Sequence, residues 1–277
     1  MPKFFWYGSL VVAALLILGY TLWKTRDLRL LVLHFCLAGL IDPLEYVILI
    51  LLPSYQYYSG VMDNPWIDNM LGSFASNDFI VPSVAVAAAA FKLRFIWLLC
   101  LSILFMGIEW LFLSLQAYVH YWWTTIYTGI GILLFFWIAQ WIWGSVRDGK
   151  VTKPILFVYT FFAYLFLYGT SHFIQGHFMD VHELQVGWFP DPTQDHIAIG
   201  ELLEASTALI AAFSYFLKVP GKVGFMAILL SFDFLLLASS IIQIDDAWEI
   251  IFYVLLQLVW ILVVHAIVRY GTRSKAC

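Results

Sequence analysis

Residues 95–117 have the sequence FIWLLCLSILFMGIEWLFLSLQA, in which Glu109 is the only charged side chain. An α-helix needs an apolar run of about 20 residues to cross the hydrocarbon core of a bilayer. Similar runs lie on both sides of this one. Over the chain of 277 residues, 63% are hydrophobic and 12% charged, against about 45–50% and about 25% in soluble domains. The sequence therefore predicts an all-α, polytopic transmembrane helix bundle.

The apolar segments predict eight or nine spans in a single integral membrane domain covering residues 1–277. Eight segments are long enough to cross, at 4–23, 28–52, 95–117, 124–146, 154–175, 197–217, 223–243 and 247–269. The remaining segment, 79–93, is short and contains Pro82. It is interpreted as a tilted span, a half-helix completed by the preceding NPWIDNMLGSF, or a re-entrant segment. No internal repeat is evident along the chain.

Charged loops predict the orientation, because Lys and Arg accumulate on the cytoplasmic side of membrane proteins. Basic residues follow the first, third, fifth, seventh and ninth apolar segments. The loops between them are acidic and contain neither Lys nor Arg, with Asp63, Asp68, Asp78, Asp180, Glu183, Asp191, Asp195, Asp245, Asp246 and Glu249. This alternation predicts an outside N-terminus, a cytoplasmic C-terminus and nine crossings in the cell membrane.

Six carboxylates inside or near the spans are candidates for a cation-binding site. A charged side chain at the centre of a membrane helix costs about 2.5–3.5 kcal/mol on insertion scales, and no Lys or Arg lies deep in a span to offset it. Either these groups are neutral, or a cation compensates them, or they hydrogen-bond to neighbouring helices as structural contacts. They are Asp42, Glu45, Glu109, Glu201, Glu204 and Asp233.

Four histidines form the candidate metal site: His172, His177, His182 and His196. Imidazole and carboxylate ligands suit transition metals, so a transition-metal ion is the candidate cofactor. In a helix, however, steps of five residues would place the first three rings about 140° apart. A loop that brings His177 or His182 to His196 is the arrangement in which a site could form. The alternatives are a solvated, pH-sensing loop and unrelated surface histidines.

Aromatic residues cluster at the predicted span ends, as in HYWW at 120–123 and the group of Tyr55, Tyr57 and Tyr58. Tyr and Trp are enriched where membrane helices meet the headgroups. These groups are therefore predicted to form interfacial belts, with an aromatic cage as the alternative.

Three stretches carry a resemblance to known proteins: GSFASNDFIVPSVAVAAAAF, GIEWLFL and HYWWTTIYT. Through them, residues of about 25–146 resemble an uncharacterised family of polytopic membrane proteins of spore-forming Gram-positive bacteria. The resemblance implies a multi-pass membrane protein and brings no activity with it.

These observations predict an outward-facing cavity of carboxylates and histidines that binds a proton or a transition-metal ion, with transport as the expected use. The first alternative is a metal-dependent membrane enzyme acting on a lipid or quinone-like substrate. The second is a non-catalytic signalling or assembly subunit. The expected partner is the lipid bilayer, and no basic patch suggests nucleic acid. The Walker A, GxSxG, HExxH and CxxCH motifs are absent from the sequence.

Overall fold

A computed structural model describes residues 2–273 of the chain. Within these residues nine helices are long and apolar enough to cross a membrane, which confirms the predicted all-α class. They are Lys3–Thr25, Arg29–Leu51, Pro65–Ala90, Phe95–Ser114, Thr125–Arg147, Lys153–His177, Pro192–Ser214, Val219–Ala238 and Ala247–Gly271.

The third of these helices, Pro65–Ala90, begins earlier and is longer than the short segment predicted at 79–93. It begins at Pro65, because the Asn64 side chain accepts hydrogen bonds from the Trp66 and Ile67 N–H groups and so caps the first turn. It consists of α3 (Pro65–Ser73), a π-helical segment (Phe74–Ile80) and α4 (Val81–Ala90). At 26 residues it is about 39 Å long. Of the three interpretations, the half-helix completed by the preceding residues is the one that matches.

The polar residues that hid this helix from sequence analysis are buried inside the protein. They are Asp68, Asn69, Ser73 and Asp78. Asp68 and Asp78 were assigned to an exterior loop, and that assignment is wrong because both lie in the helix. Hydrogen bonds replace water for such groups, as when the Asn69 side chain accepts a bond from the Tyr57 N–H at 2.8 Å.

The described chain divides into two compact units. Unit 2 is Thr152–Tyr270, and unit 1 is made of the described residues on either side of it. The sequence predicts that the whole chain forms a single domain. Because this depends on how the two units assemble, it stays a prediction.

Unit 1 begins with α1 (Lys3–Thr25), which packs on α4 and on the π-helical segment before it. A second helix, α2 (Arg29–Glu45), contains Pro43 and continues as the π-helical segment Tyr46–Leu51. Because proline lacks an N–H group, it interrupts the regular hydrogen-bond ladder just before this change. The unit is completed by β1 (Tyr55–Tyr57), α5 (Phe95–Ser114), β2 (Tyr118–His120) and α6 (Thr125–Arg147), with β1 antiparallel to β2.

Unit 2 contains α7 (Lys153–His177), β3 (Glu183–Leu184), α8 (Pro192–Ser214), α9 (Val219–Ala238), β4 (Ile242–Gln243) and α10 (Ala247–Gly271). The strands pair antiparallel. Helices α7 and α8 pack closely against each other, and Leu184, Ile199, Ile242 and Tyr253 form a buried apolar cluster beneath the strands.

The order of elements in unit 2 repeats the order in unit 1 after α1. Each has a long helix, a strand, a proline-initiated helix, a 20-residue helix, a second strand and a last helix. Glu109 in α5 and Asp233 in α9 occupy the same position of their 20-residue helices. The residues just beyond these helices, Gln116 and Ser240, both have positive φ. The structure therefore contains a repeat that was not evident from the sequence.

The repeat is clearest in the loop before each proline-initiated helix, which we call the carboxylate latch. In unit 2 the Asp195 carboxylate accepts hydrogen bonds from the backbone N–H groups of Val186, Gly187, Trp188 and Phe189, at 2.7–3.1 Å.

In the unit 1 latch, the Asp68 carboxylate accepts from the Gly60, Val61 and Met62 N–H groups and from the Ser59 hydroxyl. Gly60 and Gly187 occupy equivalent positions and have φ of 69° and 82°. Both values lie in the left-handed region that glycine adopts without strain.

Candidate functional site

The four predicted histidines come together in unit 2; we call them the histidine cluster. Helix α7 ends at His177, and the loop held by the latch turns back toward α7. This return places the ring of His182 on that of His172, with centroids 4.3 Å apart and planes at 22°. His196, in the first turns of α8, lies 4.4 Å from His177 and 5.4 Å from His182 between ring centroids.

The cluster forms because the chain is not helical throughout this region. The expectation that a helix would scatter the rings applies to His172 and His177, which both lie in α7, but not to His182, which follows the end of the helix. The alternative in which a loop brings His177 and His182 to His196 matches the structure.

Two glycines of α7 leave the space that the cluster occupies. A Cβ atom at Gly176 would lie 2.7 Å from His196 Nε2 and 3.1 Å from His182 Nε2. A Cβ atom at Gly169 would lie 2.6 Å from Glu204 Oε2. A side chain larger than that of glycine at either position would therefore collide with the ring nitrogens or with the carboxylate.

Glu204 supplies the buried acid of the cluster. Its Oε1 lies 2.7 Å from His172 Nδ1, and both side chains are more than nine-tenths buried. Such a pair can exchange or share a proton, because imidazole and carboxylate are partners in a charge-assisted hydrogen bond.

A line of tyrosines extends from the cluster along the interior of unit 2. The rings of Tyr164 and Tyr168 stack at 5.2 Å, and Tyr168 lies 5.5 Å from His172. Tyr253 lies 5.2 Å from His182. Tyr164, Tyr168 and His172 thus form a stripe along one face of α7, and all three are buried.

Several polar atoms of the histidine cluster and of Gln175 are buried without a hydrogen-bond partner among the described residues. They are His172 Nε2, both ring nitrogens of His182 and both amide atoms of Gln175. A buried donor or acceptor left unpaired costs about 1–3 kcal/mol, so such a concentration is unusual. Burial lowers the pKa of His182 well below its usual value, and the neighbouring His172 and His177 lower it further. The ring is therefore neutral and available as an acceptor at neutral pH.

A cavity of about 310 Å³ opens beside the cluster, here called the unit 2 cavity. His177, His182 and His196 contribute to its wall. Four acidic side chains line the rest, namely Asp180, Glu183, Asp245 and Glu249. The surroundings of the histidines therefore favour a positively charged species.

The described part of the chain, residues 2–273, contains no group of three or more histidine, cysteine or acidic side chains arranged to hold a metal ion. The geometry of the cluster explains this finding. His172 and His182 stack face to face, whereas ligands of one ion point their lone pairs at a common centre.

The six predicted carboxylates divide between the two units. Glu204 and Asp233 are buried in unit 2, where the Gln257 amide donates to Asp233 at 3.4 Å, and Glu201 is half-buried on α8. Asp42 is half-buried on α2 of unit 1.

Glu45 and Glu109 line a second cavity, of about 180 Å³, in unit 1; we call it the unit 1 cavity. The carboxylate of Glu45 accepts hydrogen bonds from the Tyr55 hydroxyl and, at 3.2 Å, from the Ser73 hydroxyl. Glu109 Oε1 lies 2.8 Å from His120 Nε2, out of line for a hydrogen bond.

The partners of these two acids were not recognised in the sequence. Tyr55 and Tyr57 were assigned to an interfacial belt, but they are 4% and 8% exposed. That assignment is wrong because the pairing of β1 with β2 folds both rings inward against Tyr118. Burial raises the pKa of the Tyr55 hydroxyl well above its usual value, so the hydroxyl stays protonated and donates.

Comparison with known proteins found no family model, no curated protein and no solved structure that matches this chain. The resemblance of residues 25–146 to a family of spore-forming bacteria therefore stays a prediction.

Proposed function

We propose that the protein binds a cation at the histidine cluster of unit 2 and uses this binding in transport across the membrane. The observation that carries the proposal is the convergence of four histidines and Glu204, with buried ring nitrogens left unpaired among the described residues. Three of these histidines line a cavity with acidic walls.

A proton is the cation that fits the cluster as it stands. His182 carries two unpaired nitrogens, and His172 pairs with Glu204 while its Nε2 is unpaired. A proton arriving from the cavity would meet neutral imidazoles with free lone pairs. Because burial and the neighbouring rings lower the pKa of His182, the proton would be passed on and not held there, as transport requires.

A transition-metal ion is the second form of the same proposal. It would require the ring of His182 to turn out of its stack on His172, until three nitrogens face one point. Neutral imidazole is a common ligand of such ions, and metal binding releases protons. Because burial lowers the pKa of His182, affinity for the ion should fall only as pH decreases well below about 6.5, the ordinary pKa of a histidine.

Replacing both His177 and His196 with alanine tests the proposal. In proteoliposomes under a pH gradient, we expect proton flux reported by an internal pH dye to fall at least tenfold. Protein purified without chelators should likewise lose any stoichiometric zinc, nickel or copper that the wild type carries. The double variant removes two of the cluster's rings and leaves the His172–Glu204 pair in place.

His265→Gln is the matched control, because His265 is a buried histidine of unit 2 that bonds to the Ala211 carbonyl at 2.9 Å. It should retain wild-type flux. Absence of both flux and metal in the wild type, or their persistence in the double variant, would contradict the proposal.

The proposed orientation has the N-terminus outside and the C-terminus in the cytoplasm, so that the unit 2 cavity opens outward. It is supported by the alternation of basic and acidic loops. In a variant with Cys36, Cys100 and Cys277 replaced, Asp191→Cys should react with an impermeant thiol reagent in intact cells. Gly149→Cys should react only after the cells are opened. The reverse pattern would invert the topology.

A further inference from the structure

The unit 1 cavity differs from the unit 2 cavity in the character of its walls. Aromatic and aliphatic side chains form most of its lining, including Tyr57, Tyr118 and Trp123. Two acids, Glu45 and Glu109, interrupt the apolar surface. Among the described lining residues there is no Lys or Arg to neutralise them.

In the repeated framework, the place that Glu45 has in unit 1 corresponds to that of His172 in unit 2. Glu45 contacts Tyr55 and Ser73, and the residues with the same spacing in unit 2 are His172, His182 and Gly200.

His172 stacks on His182, and a Cβ atom at Gly200 would lie 3.5 Å from His172 Cε1. The contacts of Glu45 in unit 1 thus recur around His172 in unit 2. The place that His172 occupies in unit 2 is therefore occupied by the Glu45 carboxylate in unit 1.

The hydrogen-bond donors around Glu45 are already committed within the protein. The Tyr55 and Ser73 hydroxyls donate to Glu45. The amide of Asn77 donates to the Tyr57 and Ser73 hydroxyls, each at 3.3 Å. A ligand that needs donors from these groups, such as a quinone carbonyl or a carboxylate bound beside Glu45, would have to break these bonds.

Glu109 is the group that remains to recognise a ligand. Its side chain is 8% exposed, and its Oε1 lies 2.8 Å from His120 Nε2 but accepts no hydrogen bond from that ring or from any other described residue. A buried carboxylate oxygen without a donor calls for a positively charged or donating partner. The aromatic faces of Tyr57, Tyr118 and Trp123 also favour a cation, because the ring quadrupole attracts positive charge.

The volume of the unit 1 cavity limits the size of the apolar part of a ligand. A cavity of about 150 Å³ holds one benzene molecule, so about 180 Å³ admits one ring with a short chain. We infer that the unit 1 cavity binds a small organic ammonium ion, with its apolar body among the aromatic rings and its charged nitrogen at Glu109.

Three probes of nearly equal shape and different charge test this inference on the full-length protein in detergent. They are 2-phenylethylammonium, 2-phenylethanol and 3-phenylpropionate, and binding is measured by calorimetry and by the rise in melting temperature. We expect the ammonium to bind at least tenfold more tightly than the alcohol, with no binding of the carboxylate. This comparison needs no variant.

Glu109→Gln should weaken binding of the ammonium at least tenfold, because the amide keeps the shape of the carboxylate and loses its charge. Asp63→Asn is the matched control, since Asp63 is an exposed acid of the same unit, and it should bind normally. Equal affinity for the alcohol and the ammonium, or unchanged affinity in Glu109→Gln, would overturn the inference. The His177 and His196 double variant should retain ammonium binding, so this site and the proposed cation site can fail independently.

Discussion

Asp195→Ala is expected to free the loop before α8 and to lower the free energy of unfolding by about 4 kcal/mol. Asp195 is 1% exposed, and its carboxylate accepts hydrogen bonds from the four backbone N–H groups of residues 186–189. Each hydrogen bond to a charged group contributes about 1.5–3 kcal/mol. Water can reach part of the loop once it is free, so the expected loss is smaller than the sum.

Hydrogen exchange of the amides of residues 186–189 separates release of the loop from unfolding of the unit. These amides should exchange at least a hundredfold faster in Asp195→Ala, and the melting temperature should fall. The equivalent change in unit 1, Asp68→Ala, should accelerate exchange at residues 60–62, whereas exposed Asp63→Ala should change neither measurement. Unaltered exchange in Asp195→Ala would mean that other contacts hold the loop.

Gly176→Ala is expected to weaken the proposed cation binding at the histidine cluster at least tenfold while changing stability little. The new methyl group would lie 2.7 Å from His196 Nε2, 2.8 Å from His196 Cε1 and 3.1 Å from His182 Nε2. Since these atoms belong to ring ends that can rotate, the rings move and the backbone stays in place. Displacement of both nitrogens should lower the proposed flux or metal affinity at least tenfold.

Gly144→Ala is the control for this change, because Gly144 is also helical and a Cβ atom there meets nothing within 4 Å. Alanine is favoured over glycine in a helix by about 1 kcal/mol, so Gly144→Ala should be neutral or stabilising and fully active. Normal flux in Gly176→Ala would show that the nitrogens facing Gly176 do not take part.

The spans were predictable because a membrane helix must be long and apolar, and both properties are visible in the sequence. The exception, Pro65–Ala90, is the least apolar of the nine described spans, because Asp68, Asn69 and Asp78 interrupt its apolar run. Those residues are buried, and Asp68 and Asn69 take their hydrogen-bond partners from the chain just before the helix, as Tyr57 does for Asn69. Such pairing is invisible until the chain is folded.

The sequence was sufficient to predict which residues form the candidate site, but not how these residues are arranged in space. The histidines, Glu204 and Glu109 were identified from their cost in a membrane and their chemistry. Their division between two units could not be foreseen, because that depends on the repeat.

The repeat itself escaped notice because apolar side chains replace one another freely in membrane helices. One signal was present in the loops: Gly60, Asn64-Pro65 and Asp68 have the same spacing as Gly187, Asp191-Pro192 and Asp195. A search for turn and cap residues, in place of apolar runs, would have found it.

The carboxylate latch also bears on the order in which the chain folds. Asp195 and the four amides that it accepts are only six to nine residues apart along the chain, and closing so short a loop takes about 10–100 ns. The latch can therefore close while later helices are still being synthesised. Each unit would then acquire its turned-back loop, and with it the approach of the strand to the preceding helix, before its last helix has been synthesised.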